Sequence, residues 1–141
     1  MKLRWTWVAL AAILALLVAA CGDDEGTSTT AAGEPFKIGM ILVGPENDRG
    51  WSQAHADAGA YLEAQLGVEI VILDKVNTAD RPETTVDQVV TQMINDGADM
   101  IFATSDDMRD GIEIAAAQHP EVPMIWSSGD SAWPEAGEAY R

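Results

Sequence analysis

The sequence predicts an α/β fold, a parallel doubly wound sheet with helices on both of its faces. Short apolar runs rich in β-branched residues alternate with longer segments whose apolar residues recur at three- and four-residue steps, the spacing of an amphipathic helix. Each longer segment joins one run to the next. Helical crossovers of that length imply parallel neighbouring strands and a right-handed winding.

Four apolar runs are predicted to be strands. They are residues 38–43 (IGMILV), 68–73 (VEIVIL), 100–104 (MIFAT) and 123–127 (PMIWS). The second run is β-branched and largely apolar, which is typical of a strand that is covered on both faces. We expect the spatial strand order 2-1-3-4 of a doubly wound sheet.

The first helix is predicted over residues 51–66, and Gly67 is the residue that ends it. Its length and spacing fit the crossover from the first strand to the second. Its recurring apolar residues are Trp51, Ala54, Ala58, Tyr61, Leu62 and Leu66.

A second helix is predicted to begin at Asp80, whose carboxylate suits a helix cap. Glu83 follows in the capping-box position, and Pro82 lies in the first turn, where its missing N–H costs nothing. Asp96 and Gly97 end this helix. Its apolar face comprises Val86, Val89, Val90, Met93 and Ile94.

A third helix is predicted to begin at Ser105–Asp107 and to end at His119, because Pro120 forbids its continuation. Methionines fall on the strands and on the apolar faces of these helices, so we predict that they pack in the core. They are Met40, Met93, Met100, Met108 and Met124.

Residues 1–20 are typical of a secretory signal peptide. Lys2 and Arg4 precede an unbroken apolar run from Val8 to Ala20. That run is shorter than the roughly 20 residues that a transmembrane helix needs. An uncleaved N-terminal anchor is the alternative interpretation.

Cys21, the only cysteine, directly follows the apolar run. The sequence Val18-Ala19-Ala20-Cys21 looks like the lipobox of bacterial lipoproteins, in which the cysteine is acylated and becomes the mature N-terminus. An incidental cysteine in an ordinary signal peptide is the alternative. Residues 21–36 lack apolar periodicity, and we expect a flexible tether there.

The chain is strongly acidic, with a formal net charge of −15. Cleavage before Cys21 would remove two basic residues and leave six against 23 acidic ones, a charge of −17. Such a surface repels phosphates, which disfavours a nucleic-acid partner. It does not select a ligand.

The loop after the first strand carries the first candidate binding residues. Asn47 and Asp48 have side chains that suit ligand hydroxyl or base N–H groups, although both types also form turns and helix caps. Trp51 suits stacking on a planar base, and otherwise it begins the apolar face of the helix. Ser52 and Gln53 fit the first helical turn.

The end of the third strand carries the second candidates. Ser105 and Asp106 face the same crevice in the expected strand order, where a carboxylate can accept a ribose hydroxyl or a base N–H. For Asp107 we favour a helix cap. His55 suits either the pocket rim or a helix face, and His119 has no visible site. No metal-ligand spacing is present.

Three sequence motifs resemble the basic membrane protein (BMP) family, substrate-binding lipoproteins of ABC transporters. They are GPENDRGWSQA (residues 44–54), DGADMIFATS (96–105) and HPEVP (119–123). The resemblance covers roughly residues 37–129. The chain departs from the usual pattern at Glu46, commonly aliphatic, and at Asp106–Asp107, where many members have glycine or an aromatic residue. The ligand's identity is therefore open.

The resemblance implies a type I periplasmic-binding-protein fold, of which residues 37–141 would be the N-terminal lobe, with the second lobe absent. It implies a nucleoside-like ligand clamped between two lobes, without catalysis or a cofactor. It also implies an ABC permease partner and an extracytoplasmic location, held at the membrane surface by acylated Cys21. A lone lobe should bind weakly and expose apolar surface.

Other functions stay open as alternatives. A surface-tethered hydrolase would need a nucleophile and a base in one crevice, but the sequence has no Gly-x-Ser-x-Gly elbow and no glycine-rich phosphate loop. A receiver-like domain with Asp48 and Asp106 in an acidic pocket conflicts with the export signal. A non-functional truncated remnant is the last alternative.

Overall fold

The computed structural model describes residues 33–129, in which four parallel strands form one sheet. The strands are β1 (Lys37–Ile41), β2 (Glu69–Leu73), β3 (Met100–Ala103) and β4 (Met124–Trp126). Their spatial order is β2-β1-β3-β4, so the predicted order is confirmed.

Three helices connect the strands, as the sequence predicts. They are α1 (Trp51–Leu66), α2 (Val86–Asn95) and α3 (Arg109–Gln118). The predicted bounds of α1 are confirmed. Its terminal glycine, Gly67, adopts a left-handed conformation with φ 68°, and its N–H bonds to the carbonyl oxygen of Glu63.

One face of the sheet carries the main hydrophobic core. Ile41 and Ile101 are fully buried there with Val90 of α2 and Ala115 of α3. The close approach of α2 needs a glycine at position 39, where a Cβ would lie 2.7 Å from the sulfur of Met93. Met40, Met93 and Met108 are buried as predicted, whereas Met100 and Met124 are half-buried.

Helix α1 packs on the opposite face, so helices cover both faces of the sheet. The prediction of its apolar face was wrong. Trp51, Tyr61 and Leu66 are 55%, 65% and 68% exposed, and the buried positions are Ser52 and Gly59. Small residues allow the helix to lie close to the sheet: a Cβ on Gly59 would be 3.2 Å from Ile70.

The predicted start of α2 at Asp80 was also wrong. The helix begins at Val86 after Thr85, whose main-chain N–H bonds to the side chain of Gln88. Asp80 instead accepts a hydrogen bond from the Asn77 amide within a turn. The segment contains two capping patterns, Asp80 with Glu83 and Thr85 with Gln88. The helix begins after the second pattern, because the apolar face of the helix follows it directly.

Helix α3 begins later than predicted, because Asp106–Met108 forms a 3-10 turn and the α-helix starts at Arg109. It packs tightly on α2 through Gly111. A Cβ on Gly111 would lie 2.5 Å from the Cβ of Val86 and 3.1 Å from the main-chain nitrogen of Asp87.

The prediction that β2 is covered on both faces was wrong. This strand lies at the edge of the sheet. Its residues are half-buried except Val71, which is 38% exposed. The carboxylate of Glu63 in α1 accepts a hydrogen bond from the main-chain N–H of Ile70. The Glu63 side chain therefore satisfies one main-chain N–H group that has no partner strand at this edge of the sheet.

Candidate functional site

The loops that follow β1, β3 and β4 meet at the carboxyl edge of the sheet, where open α/β sheets bind ligands. Thr104 joins the first two of these strands. It is fully buried, and both its main-chain N–H and its hydroxyl donate to the carbonyl oxygen of Ile41, at 3.3 and 2.8 Å. Ser127, just after β4, donates its main-chain N–H to Ala103.

Asp48 holds the start of helix α1. Its Oδ1 accepts hydrogen bonds from the main-chain N–H groups of Gly50 (2.7 Å) and Gln53 (3.0 Å), and its Oδ2 accepts one from Ser52 (3.1 Å). These bonds lower the pKa of Asp48 below its ordinary value, with the Gln53 bond as the largest cause. The cap that the sequence allowed is present, and ligand binding by Asp48 stays a prediction.

Arg49, the next residue, has a positive φ of 58°, a conformation that non-glycine residues adopt uncommonly. Its main-chain N–H donates to the side chain of Gln53 at 3.0 Å. On the other side of the loop, the main-chain N–H of Gly44 donates to the hydroxyl of buried Ser52. Ser52 and Gln53 therefore hold the loop from the first helical turn, as their sequence position indicated.

Two tryptophans hold the segment after β3. The indole N–H of Trp51 donates to the carbonyl oxygen of Thr104 at 2.7 Å, and that of Trp126 donates to the carbonyl oxygen of Ser105 at 2.9 Å. The consecutive carbonyl groups of Thr104 and Ser105 thus accept hydrogen bonds from two indole groups. One indole belongs to α1 and the other to β4. Trp126 packs against the core, whereas the ring of Trp51 remains largely exposed.

Asp106 begins the 3-10 turn and is exposed. One of its carboxylate oxygens, Oδ1, accepts a hydrogen bond of 2.5 Å from the hydroxyl of Ser128. Ser105 is half-buried beside it, and its carbonyl oxygen also accepts the main-chain N–H of Met108. Asp107 is exposed and lies in the first turn, but no side-chain cap bond forms at this 3-10 turn.

Asn47 lies elsewhere along the same edge. It is exposed and lines a groove of about 420 Å³ between α1 and β2, together with Gln53, Asp57 and Ile72. Within residues 33–129, no hydrogen bond joins Asn47 to Ser105 or Asp106. The structure thus brings Trp51 next to the segment 104–106, which contains Ser105 and Asp106. Asn47 lies beside a separate groove.

His55 lies on a helix face and packs against aromatic rings. Its ring centroid is 4.9 Å from that of Trp51 and 6.0 Å from that of Phe102, and its Nδ1 is 2.8 Å from the carbonyl oxygen of Trp51. His119, at the end of α3, contacts the hydroxyl of Thr91 and the carboxylate of Glu121.

Sequence reasoning missed Thr104, Trp126 and Ser128 as members of this edge. The signal was present in part, because polar residues directly follow the apolar runs of β3 and β4. The predicted signal peptide and acylated Cys21 lie outside the described residues. Across residues 33–129, we find no helix suited to spanning a membrane and no cluster of three metal-ligating side chains.

The sequence matches no protein-family model. It is 30% identical over 100 residues to a purine-binding protein of Brucella abortus (strain 2308), a match that covers 70% of this chain and 27% of that protein. This chain therefore spans about a quarter of that relative's length.

Two solved structures share the fold. An ABC transporter solute-binding protein of Conexibacter woesei matches with a TM-score of 0.55 and 25% identity, over 63% of this chain and 28% of that one. One from Aeropyrum pernix K1 matches with a TM-score of 0.55 and 18% identity, over 65% and 24%. Over the part it covers, this chain resembles ABC transporter solute-binding proteins in sequence and in fold, which confirms the resemblance predicted from its motifs.

Proposed function

We propose that this chain is part of a lipid-anchored, extracytoplasmic solute-binding protein of an ABC transporter, and that the solute is a purine or its nucleoside. The observation that carries the proposal is the 30% identity over 100 residues to a protein named for purine binding. The proposed activity is binding and delivery to a membrane permease, with no chemical step.

The proposed ligand lies over the carboxyl ends of β1 and β3. The exposed ring of Trp51 offers a flat surface for a purine, since aromatic faces stack well on nucleobases. Ser105 and Asp106 offer oxygen acceptors to ribose hydroxyl groups or to base N–H groups. The acceptors lie on the segment to which the Trp51 indole is bonded, so one ligand can meet both.

Asn47 and Asp48, on the loop after β1, are the remaining proposed binding residues, and Asn47 would have to reach the ligand from its neighbouring groove. The Asn47 amide makes no hydrogen bond within residues 33–129 and is exposed, so it can turn toward a ligand. Asp48 has already used its carboxylate on three main-chain donors. The hydroxyl of Ser52 also bonds to this carboxylate, so a ligand donor would compete with donors from the protein.

The domain organisation follows the same proposal. Residues 1–20 direct export, Cys21 carries the acyl chains, residues 21–36 are the tether and residues 37–141 contribute one lobe of a two-lobed binding domain. A single lobe contacts a ligand on one side only, and binding to it is expected to be weak. A longer product of the gene that carried a second lobe should bind more tightly.

Isothermal titration calorimetry of this chain tests the proposed function. Adenine, adenosine and guanosine are titrated in turn, with ribose and an amino acid as controls. Saturable heat with at least one purine and none with the controls is expected. An absence of purine binding, in this chain and in any longer product of its gene, would contradict the proposal.

A further inference from the structure

The end of β4 contacts the proposed binding segment from the side opposite Trp51. The indole N–H of Trp126 bonds to the carbonyl oxygen of Ser105, and the hydroxyl of Ser128 bonds to Oδ1 of Asp106. Ser105 and Asp106 lie 21 and 22 positions earlier in the chain than Trp126 and Ser128, respectively. These contacts thus join β4 to two candidate ligand-binding residues.

The contact from Trp126 completes the bonding of the Ser105 carbonyl group. That oxygen accepts Trp126 and the main-chain N–H of Met108, at 2.9 and 3.1 Å, so both of its lone pairs are used. The Thr104 carbonyl group before it is bonded to Trp51. The backbone of this segment is therefore held on both sides, and its side chains are left to meet a ligand.

The contact from Ser128 selects one orientation of the Asp106 carboxylate. An exposed aspartate samples several rotamers, and a charge-assisted O–H···O bond to one oxygen favours the rotamer that makes it. The other oxygen, Oδ2, forms no hydrogen bond within residues 33–129. It remains available as an acceptor in a defined direction.

We infer that Trp126 and Ser128 are positioning residues, which hold Ser105 and Asp106 in the orientation that binds the solute. The inference rests on the proposed function, because the effect on affinity needs a ligand at this edge. Neither residue needs to touch the ligand. Preorganisation of this kind raises affinity by removing the ordering cost from the binding step.

Calorimetry with adenosine tests the inference in the whole chain. Ser128→Ala is expected to weaken binding about fivefold to tenfold, the usual effect of one lost intramolecular hydrogen bond, since the Asp106 carboxylate is exposed and water screens its charge. Ser128→Thr keeps the hydroxyl and should restore affinity. The matched control is Ser127→Ala, which removes an adjacent exposed hydroxyl with no hydrogen bond in residues 33–129 and should bind as the unchanged protein does.

A double-mutant cycle separates positioning from general stability. In an Asp106→Ala background, Ser128→Ala should have no further effect on affinity, because the group that Ser128 orients is gone. Trp126→Phe keeps an aromatic ring and removes the donor, but the smaller ring also loses packing against the core, so a lower thermal midpoint is expected. It should weaken binding at a temperature well below that midpoint, and Ser128→Ala remains the variant that removes a contact without altering the core.

Hydrogen exchange of the ligand-free chain keeps the two proposals apart. Ser128→Ala and Trp126→Phe should speed amide exchange in residues 105–108 at least threefold, whereas Ser127→Ala should not. If no purine binds but exchange responds in this way, the proposed function fails and the positioning contacts stand. If purines bind with equal affinity to Ser128→Ala and the unchanged chain, or if exchange does not respond, the inference is overturned.

Discussion

The indole Nε1 of Trp51 lies 2.7 Å from the carbonyl oxygen of Thr104 and donates a hydrogen bond to it. This bond joins the first residue of α1 to the residue that follows β3. It explains why an exposed tryptophan has a defined orientation: the backbone satisfies its polar edge, although the residue as a whole is 55% exposed.

Replacement of Trp51 should separate two contributions to ligand affinity: the stacking surface of its ring and the hydrogen bond from its indole N–H to Thr104. Trp51→Ala removes the stacking surface and is expected to weaken adenosine binding about tenfold or more, given the usual contribution of base–aromatic stacking. Trp51→Phe keeps a ring but leaves the Thr104 carbonyl oxygen without its indole donor, so an intermediate loss is expected. Calorimetric titration measures both.

Tyr61→Ala is the matched control for those variants. Tyr61 lies in the same helix and is 65% exposed. Its removal should leave adenosine affinity unchanged. Equal losses from Tyr61→Ala and Trp51→Ala would mean that the ligand does not lie on Trp51.

Loss of the Asp48 cap should destabilise α1. Asp48→Ala leaves three main-chain N–H groups at the start of the helix without their acceptor, and we expect the thermal midpoint to fall by a few degrees. Glu46→Gln removes a neighbouring exposed carboxylate that makes no hydrogen bond within residues 33–129. A thermal melt of that control should match the unchanged chain.

The same cap predicts a pH dependence with a definite sign. The pKa of Asp48 is lowered in the folded chain from its ordinary 3.8, chiefly by the bond from Gln53. Its contribution is therefore complete above that ordinary value and is lost as pH falls through the lower, folded pKa. Melts at decreasing pH should bring Asp48→Ala and the unchanged chain together. A gap that stayed constant down to the most acidic pH would show that the charge is not responsible.

The contact between α2 and α3 should tolerate no side chain at Gly111. Gly111→Ala puts a Cβ 2.5 Å from Val86 and 3.1 Å from the backbone of Asp87, and the helices must separate. Overpacking of this kind typically costs about 1–3 kcal/mol, partly offset by the better helix propensity of alanine. Urea unfolding measures the loss. Gly33→Ala, where nothing lies within 4 Å, is the control.

Acylation of Cys21 predicts membrane attachment. The chain expressed with its own residues 1–20 should fractionate with membranes, because two or more acyl chains anchor a protein stably. Cys21→Ser should appear in the soluble extracytoplasmic fraction or remain unprocessed. Release of the unchanged chain without acyl groups would contradict the proposed anchor.

The elements and their order could be predicted because periodicity and breakers are local signals. The face of α1 could not. The apolar residues Trp51, Tyr61 and Leu66 suggested one face, but the helix approaches the sheet through Ser52 and Gly59. Small residues carry little hydrophobic signal, yet they permit the closest packing. Because the helix packs on the sheet through these small residues, Trp51 is left exposed.

The candidate site was predictable only where it follows strand ends in sequence. Ser105 and Asp106 directly follow β3, and the parallel topology puts them at the same edge as Trp51. The contacts from Trp126 and Ser128 depend on the distance between β3 and β4 and on side-chain orientation. The spacing of residues in the sequence indicates neither the distance between these strands nor the orientation of their side chains.

The central claim, that a purine binds over the carboxyl ends of β1 and β3, is tested most directly by heteronuclear NMR of the labelled chain with adenosine. The account predicts that adenosine shifts the indole N–H of Trp51 and the amides of Ser105 and Asp106. The groove at the opposite edge, lined by Lys37, Glu69 and Asp99, should not respond. Shifts at that opposite groove alone, with Trp51 unchanged at saturating adenosine, would contradict the account.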